Sequence, residues 1–538
     1  MKNKLQGNKK TILTLLSLLL FIAVILIAWN NRFIQDDAFI SFRYAKNMVE
    51  GHGLVWNTNG ERVEGYTNFL WTIIMAIPIS LNIEPILFSY IFGIILFSLT
   101  LFYSYKFTLL LCKSKYLGLL SVLLLGLNYS FSCYATGGLE TQMQALFYIL
   151  IMYLLSVVVI KNKYSNVLMF LMSLICSLAM LTRLDSAIIV VPSLMYITYK
   201  LYKDNKSNRM KEIFILMVPF LIVIGAWLLW KYDYYGDILP NTYYAKATSY
   251  TSYLRGLKYV WIFLTSYLFV PVVILLGYYL KNIIENKESV ISLLLTLVFL
   301  WFAYIVKVGG DFMEFRILIP IISPMIVLFV WIIFDKFHNK YVSVILISIV
   351  IFGSFKQYTE FGKFSYQHEV ESINQLKGHL FKENWIGIGK TLGSIFGGSK
   401  NIILATTAAG AVPYYSNLET IDILGLNDKW IAKHGQYSGT TRPGHSKIAT
   451  LDYLVKKKVN LIPCLDLIKD TSKIKYEYDI LHWFIYSIKK SDKLPVEMKI
   501  IVIPVENDYK MLVLYLNINS EVDYLINKNK LVTHVVKQ

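Results

Sequence analysis

Charge is what this sequence has least of. Only 16% of its 538 residues are Asp, Glu, Lys or Arg, while 56% are hydrophobic and 15% aromatic. Soluble domains carry about 25% charged residues, so the shortfall excludes an ordinary soluble globule and makes lipid the solvent for much of the chain. Acid is scarcer than base, with 35 Asp and Glu against 53 Lys and Arg and a net charge of +18. In a soluble protein that excess would suggest nucleic acid. Here the lysines fall in short loops between apolar runs, and no basic patch with interleaved aromatics stands apart from them. The charge therefore reads as membrane topology and contact with anionic headgroups, and nucleic acid is excluded as a partner. Cysteine is sparse too: Cys112, Cys133, Cys176 and Cys464 show no Cys-x-x-Cys spacing, which indicates neither a zinc site nor a disulfide framework. His434 and His445 are too separated to argue for a metal site, and no repeat or low-complexity tract stands out.

What is abundant is apolar sequence in long runs. Lys2, Lys4, Lys9 and Lys10 precede a run from Thr11 to Trp29. A cleaved signal peptide has a core of about 7–15 residues ending at small side chains. This run is longer and ends Ala-Trp-Asn-Asn-Arg, which predicts a retained anchor with its N-terminus inside. Further runs at 86–105, 116–133, 141–160, 164–182, 186–199, 213–230, 259–280, 289–306, 317–334 and 341–355 predict a mainly α, polytopic membrane domain over 1–355 with about eleven spans. Residues 67–83 are also apolar. If they do not cross, the lysine loops at 106–115, 161–163, 200–211, 281–287 and 336–340 all lie on the cytoplasmic side with the N-terminus; if they cross, all move outside. The segment 36–83 is therefore expected to be the first extracytoplasmic loop, with 67–83 as a juxtamembrane or re-entrant helix.

From about residue 356 no run reaches membrane length. The stretches at 401–407, 421–424, 459–462, 499–503 and 511–516 read as strands, and 446–456 can be helical. Residues 356–538 are expected to form a C-terminal α/β domain, placed outside by the odd span count.

In this topology the polar clusters gather on the outer face. The densest is 36–71, where Asp36 and Asp37 precede an amphipathic stretch closed by Gly51. Carboxylates there serve as helix caps. They serve equally as a base for an attacking hydroxyl, or as a seat for a divalent cation beside a phosphate. Arg43, about two helical turns on, either pairs with the aspartates or contacts phosphate. Tyr44 lies beside it; Glu64, Tyr66 and Asn68 either bind sugar hydroxyls or satisfy their own loop. Glu140, Asp185, Asp237 and Asn241 sit at predicted helix ends, and Arg183 and Asp185 are spaced to pair. Gly309-Gly310-Asp311-Phe-Met-Glu314-Phe-Arg316 joins backbone freedom, two acids and an Arg at the start of a span, a costly place unless the Arg meets an anion. In the C-terminal domain, Gly410 to Tyr415, Asp422, Gly425 to Asp428 and Gly444-His445 form either structural turns or a surface for a carbohydrate acceptor.

Asp-Asp-Ala-Phe-Ile-Ser-Phe-Arg-Tyr at 36–44, Glu-Arg-Val-Glu-Gly-Tyr-Thr-Asn-Phe-Leu-Trp at 61–71, Leu-Pro-Asn-Thr-Tyr-Tyr-Ala-Lys at 239–246 and Gly-Gly-Asp-Phe-Met-Glu-Phe-Arg at 309–316 resemble the GT-C membrane glycosyltransferases, and among them the mycobacterial terminal arabinofuranosyltransferase group. Gly425-Leu-Asn-Asp and Pro443-Gly-His-Ser-Lys447 are similar to that group as well. Thr182-Arg-Leu-Asp185 is a looser match, with Leu184 where proline is usual. The resemblance implies a polyprenyl-phosphate sugar donor, transfer to a glycan or glycoconjugate acceptor on the outer face of the cell membrane, and catalysis by Asp36 and Asp37. It leaves the sugar open. Arg43, Tyr44, Glu64, Tyr66, Asn68, Glu140, Asp185, Asn241, Asp311, Glu314, Arg316 and His445 are the expected substrate-binding residues. A lipid or glycan transporter is the competing class. It needs polar groups along the bilayer midplane and often inverted repeats.

Overall fold

The computed structural model of the chain describes all residues except Met1, 204–208, 247–252, 275–276, 278–288, 336–339, 365–369, 473, 485–496, 507 and Gln538. The expected cytoplasmic residues Lys281, Lys287 and Lys336, the middle of the 200–211 loop and the end of the 259–280 run lie outside the described residues.

Two compact units emerge, and neither is continuous in sequence. The first comprises Met1–Phe33, Ile86–Leu229 and Thr251–Ile373; the second comprises Ile34–Pro85, Trp230–Tyr250 and Asn374–Gln538. The division therefore differs from the expected boundary at 355–356. Residues 34–85 and 230–250 hydrogen-bond into loops of the C-terminal segment, and these long-range pairings outweigh adjacency in sequence.

The first unit is helical. Among the described residues, eight helices are long and apolar enough to cross a membrane: Thr11–Asn30, Pro85–Cys112, Thr141–Ile160, Leu184–Lys203, Arg209–Tyr235, Val290–Val308, Arg316–Phe334 and Lys340–Gln357. The chain is a multi-pass membrane protein. Thr11–Asn30 leaves most of its side chains uncovered by protein, as a lipid-facing anchor does, whereas Arg316–Phe334 and Thr141–Ile160 pack on each other in the interior. Apolar burial against lipid gains nothing between helices, so small polar pairs help to hold them, such as Ser104 to Ser323 at 2.6 Å.

Among the described residues the expected count of about eleven is not reached by length; part of run 259–280 lies outside them, and local breaks are visible elsewhere. Run 116–133 breaks at Asn128, whose side chain accepts from Phe131 N at 2.9 Å and splits it into Lys115–Leu127 and Tyr129–Cys133. Run 259–280 is interrupted after Tyr253–Ser266 by Leu268 at φ +55°. Asn166–Thr182 has 17 residues, about 26 Å at 1.5 Å per residue and short of a hydrocarbon core of about 30 Å. Phe69–Ser80, which lies outside that count of eleven, has 12 residues and spans only about 18 Å. The parity that placed 356–538 outside thus no longer follows from helix length alone.

The second unit is built on a six-stranded sheet in the order Glu419–Asp422, Ile403–Thr406, Leu461–Pro463, Lys510–Tyr515, Lys499–Pro504, Val532–Val535. The first three strands run parallel and the rest pair antiparallel. Side chains alternate between two apolar layers: Ile500, Val502, Leu512 and Leu514 on one face, Ile501, Ile503, Met511 and Val513 on the other. The five expected strands are present, one shifted to Glu419–Asp422. Val532–Val535 was not foreseen, because its exposed edge position leaves no apolar run to read. Residues 34–85 add the helices Asp37–Val49 and Phe69–Ser80, which pack together; Asp37–Val49 also packs on the short helix Ala411–Ser416.

Candidate active site

Asp36 and Asp37 sit at the start of helix Asp37–Val49, as their capping chemistry predicts, but they do different things. Asp36 does not cap its own helix. Its two carboxylate oxygens accept from Gly410 N at 3.0 Å and Ala411 N at 2.8 Å, the first amides of helix Ala411–Ser416. Helix N-termini present unsatisfied N–H groups to anions. Gly410 is required there, because a Cβ would lie 2.0 Å from the Asp36 carbonyl oxygen. Burial pushes the Asp36 carboxyl up to about 7, even though the amides of Ala411 and Gly410 pull the other way. Asp37 is less buried, and its amide donates to Gln35 Oε1 at 2.7 Å. Asp36 is therefore an anchor, and Asp37 is the carboxylate left nearer solvent.

Arg43 neither pairs with the aspartates nor is available to phosphate. It is buried, and it donates to the carbonyls of Trp56 (2.8 Å), Leu418 (2.7 Å) and Pro413 and to Asn57 Oδ1 (3.0 Å), its guanidinium carbon 4.6 Å from the centre of the Trp56 ring. A planar fork of five donors suits such a staple. The expected sugar-binding residues of the same region also turn inward. Tyr44 Oη donates to Val63 O at 2.7 Å and meets Gly65 N at 2.9 Å and Asn427 Oδ1 at 3.2 Å. Gly65 is held to glycine, since a Cβ would lie 1.8 Å from Asn427 Oδ1. Tyr66 Oη meets Tyr235 Oη at 3.0 Å, and Asn68 Oδ1 accepts from Ser41 and Thr72, both at 3.1 Å. Asn241 donates to Gly425 O and Leu426 O at 2.9 and 3.0 Å. Glu64 is buried against Lys231 Nζ at 2.9 Å, and burial raises its carboxyl to about 7 against the pull of that lysine. His445 is half-buried with Nδ1 3.3 Å from Pro443 O.

In the first unit Arg183 gathers two acids, Glu140 and Asp185, at 2.7 Å each. Gln144 Nε2 (2.9 Å) and Tyr304 Oη (3.1 Å) also donate to Asp185. The predicted Arg183–Asp185 pair is present; Glu140, Gln144 and Tyr304 are additions that spacing could not reveal. Asp311 grips Arg316 through Nε at 2.7 Å and accepts from Phe312 N at 2.8 Å. Glu314 faces away from solvent altogether. It accepts from Ser130 Oγ at 3.0 Å, Gln357 Nε2 at 2.7 Å and Ile373 N at 2.8 Å, and burial raises its carboxyl to about 7. Phe315, at φ +48°, is the left-handed residue that separates Glu314 from Arg316.

No three His, Cys, Asp or Glu side chains come together to hold a metal ion among the described residues. The divalent cation that the sequence allows beside Asp36 and Asp37 has no assembled donor set among the described residues.

Asp36, Glu64, Glu314 and Asp422 (raised to about 6 by burial) all bind protons more tightly folded than unfolded. Their folded pKa values lie above the unfolded ones, so stability is fullest at acid pH and is lost as pH rises through about 6–7. The apparent Tm of the detergent-solubilised protein should be higher at pH 5 than at pH 8; a Tm that rises across that interval contradicts the account.

Comparison with known proteins adds three findings. A family described as "Domain of unknown function (DUF8728)" matches residues 382–511. Two curated proteins named terminal beta-(1->2)-arabinofuranosyltransferase match by sequence. The one from Corynebacterium glutamicum is 27% identical over 330 residues, 54% of this chain and 46% of the relative. The one from Mycobacterium tuberculosis is 23% identical over 328 residues, 54% of this chain and 51% of the relative. The chain thus spans about half the length of these curated relatives. By fold it is similar to the crystal structure of ArnT from Cupriavidus metallidurans bound to undecaprenyl phosphate, with a TM-score of 0.52 and 12% identity, covering 94% of this chain and 98% of that one.

Proposed function

We propose that this chain is a GT-C membrane glycosyltransferase that moves a sugar from a polyprenyl-phosphate donor to a glycan acceptor at the outer face of the cell membrane. The observation that carries the reading is the difference between two adjacent acids at the start of helix Asp37–Val49: Asp36 is buried with both oxygens on the amides of Gly410 and Ala411, whereas Asp37 is only half-buried. The GT-C-like fold supports it, as do the arabinofuranosyltransferase names of the sequence relatives and the undecaprenyl phosphate bound by ArnT. None of these neighbours is named a transporter.

In the proposed reaction Asp37 takes the proton of the acceptor hydroxyl. The hydroxyl oxygen forms the new bond to the anomeric carbon. The bond from that carbon to the phosphate oxygen breaks, and its electron pair leaves on polyprenyl phosphate. A separate proposal concerns the first unit alone: Arg316, held by Asp311 at 2.7 Å, is a contact for a lipid phosphate. Arg316→Gln should raise the donor KM and lower kcat/KM by about 10²–10³, the range for one lost charge-stabilising donor, with acceptor KM nearly unchanged. Unchanged donor kinetics would withdraw that role from Arg316.

Orientation is tested separately. In a cysteine-free background, Ser394→Cys on the exposed face of Trp385–Phe396 should react in intact cells with a membrane-impermeant maleimide. Labelling only after permeabilisation would place the second unit's sheet inside.

A further inference from the structure

We infer that Glu314 is a positioning residue for Arg316: it clamps the chain at residues 371–373 and so fixes the loop that carries the arginine. The inference rests on the lipid-phosphate reading of Arg316 above. All the residues involved belong to the first unit.

Glu314 is a fully buried acid to which the proposed reaction gives no task. Its carboxylate gathers donors from three segments remote in sequence: Ser130 Oγ at 3.0 Å, Gln357 Nε2 at 2.7 Å and the Ile373 amide at 2.8 Å. Ser130 is held in turn by Tyr267, whose Oη donates to Ser130 Oγ and accepts from Ser130 N, both at 2.8 Å. An ionised carboxylate accepts several bonds and donates none, so it ties all three donors at once. An apolar side chain would leave those donors buried without an acceptor.

The backbone beside Glu314 is stitched to the same stretch. Glu314 N donates to Glu371 O at 2.9 Å, and Glu371 N donates to Phe312 O at 2.7 Å. Met313 and Glu371 thereby pair as a parallel bridge, and Met313 O also accepts from Tyr259 Oη at 3.0 Å. Phe315 then turns the chain at φ +48°, with its ring 5.2 Å from that of Phe263 and 5.9 Å from that of Tyr267. A bulky L-residue holds left-handed backbone only where its surroundings fix it. Arg316 follows, and its Nε bond to Asp311 at 2.7 Å closes the loop on itself. That ion pair fixes Arg316 relative to Asp311 alone. The bonds to residues 371–373, 130 and 357 fix the loop relative to the helices around it; without them the pair could turn as a unit. Placement matters because a guanidinium meets phosphate oxygens in the plane of its fork.

The test is binding of undecaprenyl phosphate to the full-length protein in phosphatidylcholine nanodiscs, by calorimetry, with Tm recorded for each variant. Glu314→Leu removes the acceptor. Ile373→Pro deletes the N–H that Glu314 holds, at the first position of helix Ile373–Phe381, where proline is well tolerated. Ile373→Ala loses side-chain packing but keeps that N–H. Glu314→Gln is the rescue: its oxygen can take the Ile373 amide while its NH₂ turns to Ser130 Oγ and a flipped Gln357. Kd should rise about 10-fold in Glu314→Leu and Ile373→Pro, the scale of one hydrogen bond to a charged group, and stay within about twofold in Ile373→Ala and Glu314→Gln. In transfer assays the first two should raise donor KM and leave acceptor KM unchanged, a split that general loosening of the fold would not give. Wild-type affinity in both Glu314→Leu and Ile373→Pro, or an equal loss in Ile373→Pro and Ile373→Ala, would overturn the positioning role. If Glu314→Leu does not fold, the Ile373 pair decides alone. Arg316→Gln separates the two readings. Should it bind as the wild type does, the phosphate contact fails and Glu314 has nothing to position; should it alone weaken binding, the contact stands and the role of Glu314 falls.

Discussion

Asp37→Asn should leave a folded, lipid-inserted protein whose kcat has fallen by about 10²–10⁴, the contribution of a positioned general base. Asp36→Asn should behave differently, although the two residues are adjacent and chemically identical. Asp36 spends both oxygens on Gly410 N and Ala411 N. An amide offers one acceptor oxygen and turns an NH₂ toward the second N–H, so one buried donor loses its partner. The expected cost is about 1–3 kcal/mol, read as a lower Tm, with activity reduced because the start of helix Asp37–Val49 is no longer pinned. Asp37→Asn is thus predicted to show its main loss in turnover, and Asp36→Asn its main loss in Tm. A variant pair with the opposite pattern, Asp37→Asn unstable and Asp36→Asn stable but inactive, would exchange the two roles.

The second large effect is structural. Arg43→Ala removes donors from three backbone carbonyls, at Trp56, Pro413 and Leu418, as well as from Asn57, and leaves a cavity against the Trp56 ring. Losing a buried, fully hydrogen-bonded charge of this kind costs on the order of 3–5 kcal/mol, a large part of the stability of a typical domain. Arg43→Ala should therefore accumulate poorly and expose residues 34–85 to limited proteolysis. Arg43→Lys should rescue little, since an ammonium cannot reproduce the planar fork. Wild-type yield and protease resistance in Arg43→Ala, with only donor affinity impaired, would restore the phosphate role that the sequence spacing suggests.

These two residues also mark how far the sequence could be read. Membrane helices are legible because composition decides them locally, and so are the sheet strands, whose apolar runs are several residues long. The location of the polar clusters was legible for the same reason, since charge is rare in this chain and stands out. Their partners were not. Asp36 finds its amides at residues 410–411, and Arg43 finds two of its carbonyls at 413 and 418. No local rule connects positions so far apart. One clue was present: a strand ending at Thr406 and running into Gly410 predicts a helix start, and a helix start attracts a carboxylate. The count of about eleven spans is not confirmed, and the breaks lie at points a window average cannot see, where one Asn side chain or one left-handed Leu ends a helix inside an apolar run.

The same distinction explains why most of the residues expected to touch substrate turned inward. Tyr44, Tyr66, Asn68 and Asn241 belong to conspicuous polar motifs, yet each is hydrogen-bonded within the second unit. A polar residue in an apolar chain announces that something must satisfy it, not what does so.

The central claim is that the phosphate-to-sugar bond of a lipid-linked donor is broken here. It is tested most directly by supplying purified protein in nanodiscs with radiolabelled polyprenyl-phosphate sugars and a glycan acceptor, and measuring free polyprenyl phosphate. The account predicts release in step with labelled acceptor, abolished by Asp37→Asn. Donor that stays intact, or that only changes leaflet, would contradict it.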